Sequence, residues 1–528
     1  MGIYLNPGFE NFRRTLSADI YVDKTMMIAA TNRFIDKGNN YVCMSRPRRF
    51  GKTVTSEMLC SYYSKGCDAR ELFAPYKIAK DPSFENKLNR YNVIKIDWNS
   101  EYQNVEDTDN LIKIVTEKVK TEMRKEFPGI SLEPFDSLGE SILKIYGETG
   151  ETFVILMDEY DVFIREHVTR ELFEKYLRLL NALFKSSTLR PAISLAYLTG
   201  ILPVARDKVQ SKLNNFREYT ILDAMELAEY VGFTADEVKE LCRRYDMDYE
   251  ECRNWYDGYA QHGYEIYNPE SVVNAMLQRE YDGYWNRTST YMAIAERIRC
   301  DLRGTKEDVL RMLSGESADV NVTRFMNTMD SFHTKSDVFT YLIHLGYLAY
   351  NKKEKTCRIP NKEVRQEWFN AIEDDPNYDQ TNKIIFASKQ LLMDTIEGNN
   401  EAIARALSES HIHVTSNRSY NNEDALGSAI YLAYIYALND YLCFRELPAG
   451  KGFADVVYIP LHPGCGSRPA IIVELKRGGS AGSALKQIAD RQYFKPLEGY
   501  YGKILLVGIN YDEKTKTHSA QTRWYVKE

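Results

Sequence analysis

Lys52 and Thr53 close the run Ser45-Arg46-Pro47-Arg48-Arg49-Phe50-Gly51-Lys52-Thr53. It lies between the apolar stretch Tyr41-Val42-Cys43-Met44 and a helical pattern over Val54 to Ser64. Strand, turn, Gly-Lys-Thr and helix is the order in which a loop can wrap phosphate. The turn and the helix N-terminus aim backbone N–H groups at the anion. A lysine there reaches the β- and γ-phosphates, and a Ser/Thr hydroxyl can take Mg²⁺. Lys52 and Thr53 fit those two roles, with Arg46, Pro47, Arg48, Arg49, Phe50 and Gly51 forming the loop around a nucleotide such as ATP. The full pattern, G-x-x-x-x-G-K-[ST], has glycine where this chain has Arg46, so a plain basic turn before a helix is the competing reading.

A second set agrees with the first. Phe153-Val154-Ile155-Leu156-Met157 runs into Asp158-Glu159, an apolar strand whose carboxyl end carries two acids. Ligands of open α/β sheets sit beyond that end of the strands. Asp158 is placed to hold Mg²⁺, and Glu159 to take a proton from an attacking water. Thr199, at the tip of the expected strand Ile193 to Leu198, stands where a γ-phosphate sensor would. Arg206 and Lys208 follow it, and surface charge is their plainer reading.

A third set lies near the C-terminus. Asp455 falls on one expected strand, Phe453 to Ile459, and Glu474 and Lys476 on the next, Ala470 to Lys476. Alternation puts Glu474 and Lys476 on one face. Two carboxylates could hold Mg²⁺ and stabilise charge on a phosphodiester under in-line attack, with Lys476 positioning the water. Gln487, on the expected helix Ala481 to Leu497, can point back to the site, and Glu423 on a leading helix, Glu423 to Tyr441, could add a carboxylate. The bland alternative is a surface ion pair.

These residues need scaffolds. Strands are expected at Val93 to Asp97 and Ile193 to Leu198, with helices over Asp109 to Phe127, Leu138 to Glu148 and Glu171 to Ser186. An α/β parallel-sheet P-loop domain is therefore expected over 1–222, and a helical, aromatic-rich lid over 223–300. Helices near Glu307 to Leu313, Val322 to Ser331 and Asp337 to Leu345 precede a hairpin around Asn351 to Lys355, which suggests a winged-helix-like domain over 301–380. A linker at Asp374 to Asn377 leads to a helical linker region over 381–415. The last part, 416–528, reads as helix, three strands, helix, strand, a restriction-endonuclease-like α/β domain.

A chain of 528 residues has room for several domains. A net charge of −7 and a pI near 5.8 leave nucleic-acid binding, if present, to a local surface. The nine cysteines contain no C-x-x-C pair, and no apolar run resembles a signal peptide or membrane span, so a reduced, cytoplasmic setting is expected.

Taken together, the chain resembles the bacterial AAA-ATPase-like proteins that carry a C-terminal PD-(D/E)XK nuclease-superfamily domain. The resemblance rests on Tyr21-Val22-Asp23-Lys24-Thr25, the loop from Ser45 to Thr53, Asp158-Glu159-Tyr160-Asp161, Thr199-Gly200, Trp255-Tyr256-Asp257-Gly258-Tyr259 and the Asp455/Glu474/Lys476 set. It implies an arginine at the Arg46 position, ATP binding with Mg²⁺, and a nuclease-like fold. The expected function is ATP hydrolysis coupled to Mg²⁺-dependent cleavage of DNA or RNA. Two alternatives stay open: an ATP-driven switch whose C-terminal domain only binds a partner, and a winged-helix DNA-binding regulator. Homo-oligomerisation is also open.

Overall fold

Five strands carry the phosphate loop. They are β1 (Tyr41–Ser45), β2 (Asn92–Asp97), β3 (Phe153–Asp158), β4 (Ile193–Gly200) and β5 (Arg217–Tyr219), all parallel in the order β2-β3-β4-β1-β5. The computed structural model describes residues 2–166, 168–203, 215–285, 302, 304–325, 332–373, 379–414, 430, 433–439, 441–449, 452–460, 468–497 and 503–525. Every residue of β1, β3 and β4 is buried, as parallel strands covered on both faces require. Helices Lys52–Tyr63, Leu111–Glu126, Leu138–Thr149 and Arg170–Phe184 lie close to their expected spans. Ser137 and Glu140 form a capping box that fixes the start of the third. The strand that separates the two motifs in space is β4, while β2 lies at the edge.

The aromatic middle segment is not purely helical. Helices Ala235–Tyr245, Tyr249–Tyr256 and Pro269–Gln278 surround a small antiparallel sheet of β6 (Phe233–Thr234), β7 (Tyr259–Gln261) and β8 (Tyr264–Tyr267), in the order β6-β8-β7. Its strands are too short to display a period. Asn268 caps the third helix through the Glu270 N–H, with Pro269 at its first position. Trp255, Tyr256, Tyr267, Val272 and Met276 pack into one core with Ile20.

Next come β9 (Ala318–Asp319), β10 (Ala349–Asn351) and β11 (Thr356–Arg358), in the order β10-β11-β9, with helix Lys335–Leu345 beside them in sequence. The helix expected over Val322 to Ser331 is a short 3₁₀ turn at Val322–Arg324, where the Asn321 side chain accepts the Thr323 N–H and hydroxyl. Residues 326–331 and the linker at 374–377 lie outside the described residues. Helices Asp379–Glu397 and Asn400–Val414 follow.

The C-terminal sheet holds β12 (Tyr441–Ala449), β13 (Gly452–Pro460), β14 (Ala470–Arg477), β15 (Ile504–Asp512) and β16 (Thr517–Tyr525), paired in chain order. Only β14 and β15 pair in parallel, and helix Ala481–Arg491 joins them. The helix expected to reach Leu497 stops at Arg491, because Gln492 turns left-handed at φ 54. Tyr441, expected to end a helix, opens β12. Strand β16 escapes sequence reading because its residues are mostly polar and partly exposed at a sheet edge.

The described residues gather into two compact units. One lies within Met1–Thr290, Cys300–Thr305 and Ser317–Val364, the other within Tyr291–Arg299, Lys306–Glu316 and Arg365–Glu528. The segment expected as a winged helix is divided between them: helix Lys335–Leu345 and β9 to β11 fall in the first, residues 306–316 in the second. Among the described residues no helix is long and apolar enough to cross a membrane.

Candidate functional site

The loop after β1 is shaped by two left-handed residues, Arg49 at φ 68 and Gly51 at φ 85. A Cβ at Gly51 would meet nothing within 4 Å, so glycine is needed there for its backbone and not for space. The helix then begins at Lys52, whose Nζ donates to the Pro47 carbonyl at 3.0 Å and lies 3.8 Å from Glu159 Oε1. Burial holds the Lys52 ammonium below its usual range, offset by the charges of Glu159 and Asp158. A bound anion would exchange with the Pro47 carbonyl.

From β3, Asp158 reaches the same place. The Thr53 hydroxyl hydrogen-bonds its carboxyl, and Asp158 Oδ1 accepts the Glu159 N–H at 3.0 Å. Asp158 is buried, and burial, followed by the charge of Glu159, pushes its pKa up to about 7. A hydroxyl touching a buried, destabilised carboxylate is an oxygen donor set suited to Mg²⁺, which keeps much of its water and needs few protein ligands. Glu159 has φ 50 and bonds Arg165 Nη2.

Lys52, Thr53, Glu159 and Arg165 open onto one cavity of about 710 Å³, with Asp158 buried behind them. Arg48 to Thr53, Asp97, Glu159 and Arg165 line it, together with the polar side chains of Lys24, Gln103 and Glu270. Ile20, Tyr21 and Val22 from the N-terminal stretch, and Tyr230, Phe233 and Val273 from the middle segment, add apolar surface. The Tyr21 to Thr25 motif is a clamp. Lys24 Nζ donates to the Glu229 carbonyl at 2.7 Å and to Glu237, while Asp23 accepts the Thr25 hydroxyl at 2.6 Å and the Lys77 N–H at 2.9 Å.

Three expected phosphate contacts sit elsewhere. The Arg46 side chain is fully buried and donates to the carbonyls of Ser45 (3.0 Å) and Tyr219 (3.4 Å), so it braces β1 against β5 and does not line the cavity. Pro47 packs on the chain at Gly346, where a Cβ would lie 2.8 Å from its own Cβ. Phe50 lines the cavity and also meets the Tyr259 ring edge-on at 5.4 Å, and Tyr259 donates its hydroxyl to the Gly346 carbonyl. Tyr259 thus supports the loop from behind. Thr199 lies in register with Asp158 and Met44, buried with its hydroxyl unpartnered, and does not line the cavity.

Sequence reasoning gave no role to Asp161 and did not find Arg165. Asp161 Oδ2 accepts the N–H groups of Ile201 (3.0 Å) and Leu202 (2.8 Å), and a Cβ at Gly200 would fall 2.5 Å from Oδ1. That fit explains why Asp158-Glu159-Tyr160-Asp161 and Thr199-Gly200 occur in one chain. The only signal for Arg165 was its place four residues after Asp161. Arg206, Lys208 and Glu423 lie outside the described residues.

In the second unit, β13 and β14 bring the expected residues together. Lys476 Nζ donates to Glu474 Oε1 at 3.1 Å, and the Gln487 amide donates to the same oxygen. Asp455 Oδ2 accepts the Leu475 N–H at 2.7 Å. Gly508, beside Glu474 on β15, admits the helix bearing Gln487: a Cβ there would lie 2.3 Å from the Ala481 carbonyl oxygen. Burial, then the charge of Asp455, raises the Glu474 pKa to about 7, with Lys476 opposing. Glu474 Oε2 is buried without a partner, so the carboxylate has an oxygen to give a cation. Among the described residues no three His, Cys, Asp or Glu side chains cluster as a metal cage.

Residues 7–210 match the AAA-ATPase-like family model, described as "Predicted AAA-ATPase". A protein of Azotobacter chroococcum mcd 1, described as an uncharacterized protein in the vnfD 5′ region, is 26% identical over 294 residues. That match covers 54% of each chain, so it spans about half the length of this curated relative. Among solved structures, the Aeropyrum pernix ORC2 protein (ADPNP–ADP complexes) aligns with TM-score 0.30 and 9% identity, covering 69% of this chain and 98% of that one. The Aeropyrum pernix ORC1 protein in complex with DNA aligns with TM-score 0.27 and 13% identity, covering 69% and 96%. Likeness at those scores assigns nothing to this chain.

Proposed function

We propose that the first unit binds ATP with Mg²⁺ and hydrolyses it. The observation that carries this reading is the meeting of Lys52, Thr53 and Glu159, with Asp158 behind them, at a cavity that Ile20, Tyr21, Val22, Tyr230 and Phe233 also line. The triphosphate lies along the loop and the N-terminus of helix Lys52–Tyr63. The base lies among Ile20, Tyr21, Val22, Tyr230 and Phe233. Thr53 and Asp158 hold Mg²⁺, which supplies charge neutralisation on the phosphate oxygens. Lys52 leaves the Pro47 carbonyl for phosphate, and Glu159 takes the proton of the attacking water. The test is ATP binding and hydrolysis by wild type, Lys52→Ala and Glu159→Gln. Lys52→Ala should lose affinity, and Glu159→Gln should bind without turnover. Wild type that fails to bind ATP with Mg²⁺ refutes the reading.

A second reading concerns the second unit, and the unpartnered oxygen of Glu474 favours it. We propose that Asp455 and Glu474 hold Mg²⁺ against a phosphodiester of DNA or RNA, with Lys476 and Gln487 positioning the water, in a PD-(D/E)XK-like nuclease domain. Cleavage of single- and double-stranded DNA and RNA, with and without ATP, by wild type, Glu474→Ala and Lys52→Ala tests it. Loss in Glu474→Ala supports the nuclease, and a change in Lys52→Ala supports its coupling to ATP. ATP hydrolysis with no cleavage on any substrate favours the switch. Salt-sensitive DNA binding without cleavage favours the DNA-binding regulator. Either chemistry fits a cytoplasmic protein.

A further inference from the structure

We propose that Arg165 completes the phosphate site from within the same chain, exchanging Glu159 for the γ-phosphate of ATP. The proposal rests on the reading that the first unit hydrolyses ATP.

Arg165 ends the short helix Val162–Arg165 and lines the cavity with Lys52, Thr53 and Glu159. Its side chain is 8% exposed and spans two carboxylates. Nη2 bonds Glu159, and Nε lies 3.2 Å from Asp161 Oδ2. The two partners differ in freedom. Asp161 is fully buried and fixed by the N–H groups of Ile201 and Leu202, in space that Gly200 leaves open. Glu159 is partly exposed, has a left-handed backbone and lines the cavity. One nitrogen of the guanidinium, Nε, thus faces a carboxylate fixed to the scaffold, and another, Nη2, is held by a side chain that borders the ligand space.

Lys52 has the same divided attachment, to the Pro47 carbonyl and to Glu159. Both cations therefore rest on the group assigned to take a proton. A γ-phosphate carries more negative charge than one carboxylate and offers two oxygens to the paired N–H donors of Arg165. Drawing Lys52 and Arg165 onto phosphate releases Glu159 to face water. The oxygen of that water bonds to the γ-phosphorus, and the bond from phosphorus to the β,γ-bridging oxygen breaks. The water proton passes to Glu159, and the electron pair leaves with ADP. Arg165 forms no covalent bond. It offsets charge on the equatorial oxygens, the part that an arginine supplied in cis or by a second protein plays in phosphoryl transfer. A neighbouring copy need then contribute no arginine.

The test uses the full chain as wild type, Arg165→Ala, Arg165→Gln, Arg165→Lys and Lys52→Ala. It measures kcat, KM, turnover per chain against protein concentration, and affinity for Mg-ADP with and without aluminium fluoride. Arg165→Ala and Arg165→Gln should lower kcat on the order of 10³-fold. They should keep Mg-ADP affinity and lose the tightening that aluminium fluoride gives wild type, and Arg165→Lys should regain part of it. Turnover per chain should not depend on protein concentration. Unchanged or raised turnover in Arg165→Gln overturns the proposal, as does equal loss of affinity with and without aluminium fluoride, which marks a structural role. Wild type that neither binds Mg-ADP nor hydrolyses ATP overturns the ATPase reading itself, and this proposal with it.

Discussion

Asp158 with Glu159 in the first unit, and Asp455 with Glu474 in the second, share a device. Each buries one carboxylate beside another until its pKa nears 7. Their surroundings differ in what supplies positive charge. Around Glu159 the chain provides two cations, Lys52 and Arg165, and closes them into a cavity. Around Glu474, among the described residues, Lys476 and the Gln487 amide touch the carboxylate, one of its oxygens has no partner, and Phe453 stands exposed two residues from Asp455. Glu159 thus meets two cations at the cavity, whereas Glu474 meets one and keeps an oxygen without a partner.

The sharpest way to break that comparison is Lys52→Ala. If the first site works through fixed charge, ATP turnover should fall on the order of 10²–10³-fold, as when one preorganised donor is lost. Steady-state hydrolysis with saturating Mg²⁺ measures it. Melting of Glu474→Gln relative to its parent should be the same with and without the Lys52 change, since the sites share no residue. The second site should instead respond to a change in packing. In Gly508→Ala the new methyl meets the Ala481 carbonyl, so helix Ala481–Arg491 must shift, at a cost of about 2–3 kcal/mol. Thermal unfolding should show that loss, and Mg²⁺ titration should show weaker binding because Gln487 moves with the helix.

How much of this was legible in the sequence divides along similar lines. The parallel strands were legible because they are continuously apolar, and the residues at their tips followed from the rule that ligands gather at carboxyl ends. Asp158, Glu159, Lys52 and Thr53 meet as expected. The E-x-K alternation brought Glu474 and Lys476 together, and helix direction brought Gln487. Arg46 was misplaced because a loop arginine looks like a phosphate ligand until β5, far along the chain, offers it the Tyr219 carbonyl. Arg165 was missed because its partners depend on the left-handed turn at Glu159, which no residue type announces. β16 was missed because an edge strand can be polar along its length.

The raised pKa of Glu474 gives a pH test of the second site. Its folded value, about 7, lies above the ordinary carboxylate value of 4.5, so the folded state holds a proton that the unfolded chain releases earlier. The burden on stability is absent below about pH 4.5, grows as pH rises to 7, and is complete above it. Glu474→Gln should therefore gain on the order of 1–2 kcal/mol over wild type at pH 8 and nothing at pH 4.5. Mg²⁺ should stabilise wild type more at pH 8 than at pH 6, because only the ionised form binds it, and should leave Glu474→Gln unmoved at both. Melting curves at these pH values, with and without Mg²⁺, decide it. A variant less stable than wild type at pH 8 without metal would mean that Lys476 and Gln487 already satisfy the carboxylate.

The smallest effect separates the two kinds of glycine. Gly508 is required by space, but Gly51 has nothing within 4 Å of a Cβ and is required only by φ +85. Gly51→Ala should therefore cost about 1 kcal/mol of stability, through left-handed backbone strain alone. Gly51→Asn should cost less, because asparagine visits that conformation more readily. No such rescue is open at Gly508, where any Cβ meets backbone. The functional consequence should follow the same order. The loop's N–H groups stay aimed at phosphate only while the left-handed turn before Lys52 holds, so Mg-ADP affinity should fall more in Gly51→Ala than in Gly51→Asn. Parallel melting and Mg-ADP titration of the two variants measure both. Equal losses in alanine and asparagine would show that the loop refuses a side chain for want of room when nucleotide is bound, and would make Gly51 a contact residue rather than a hinge of conformation.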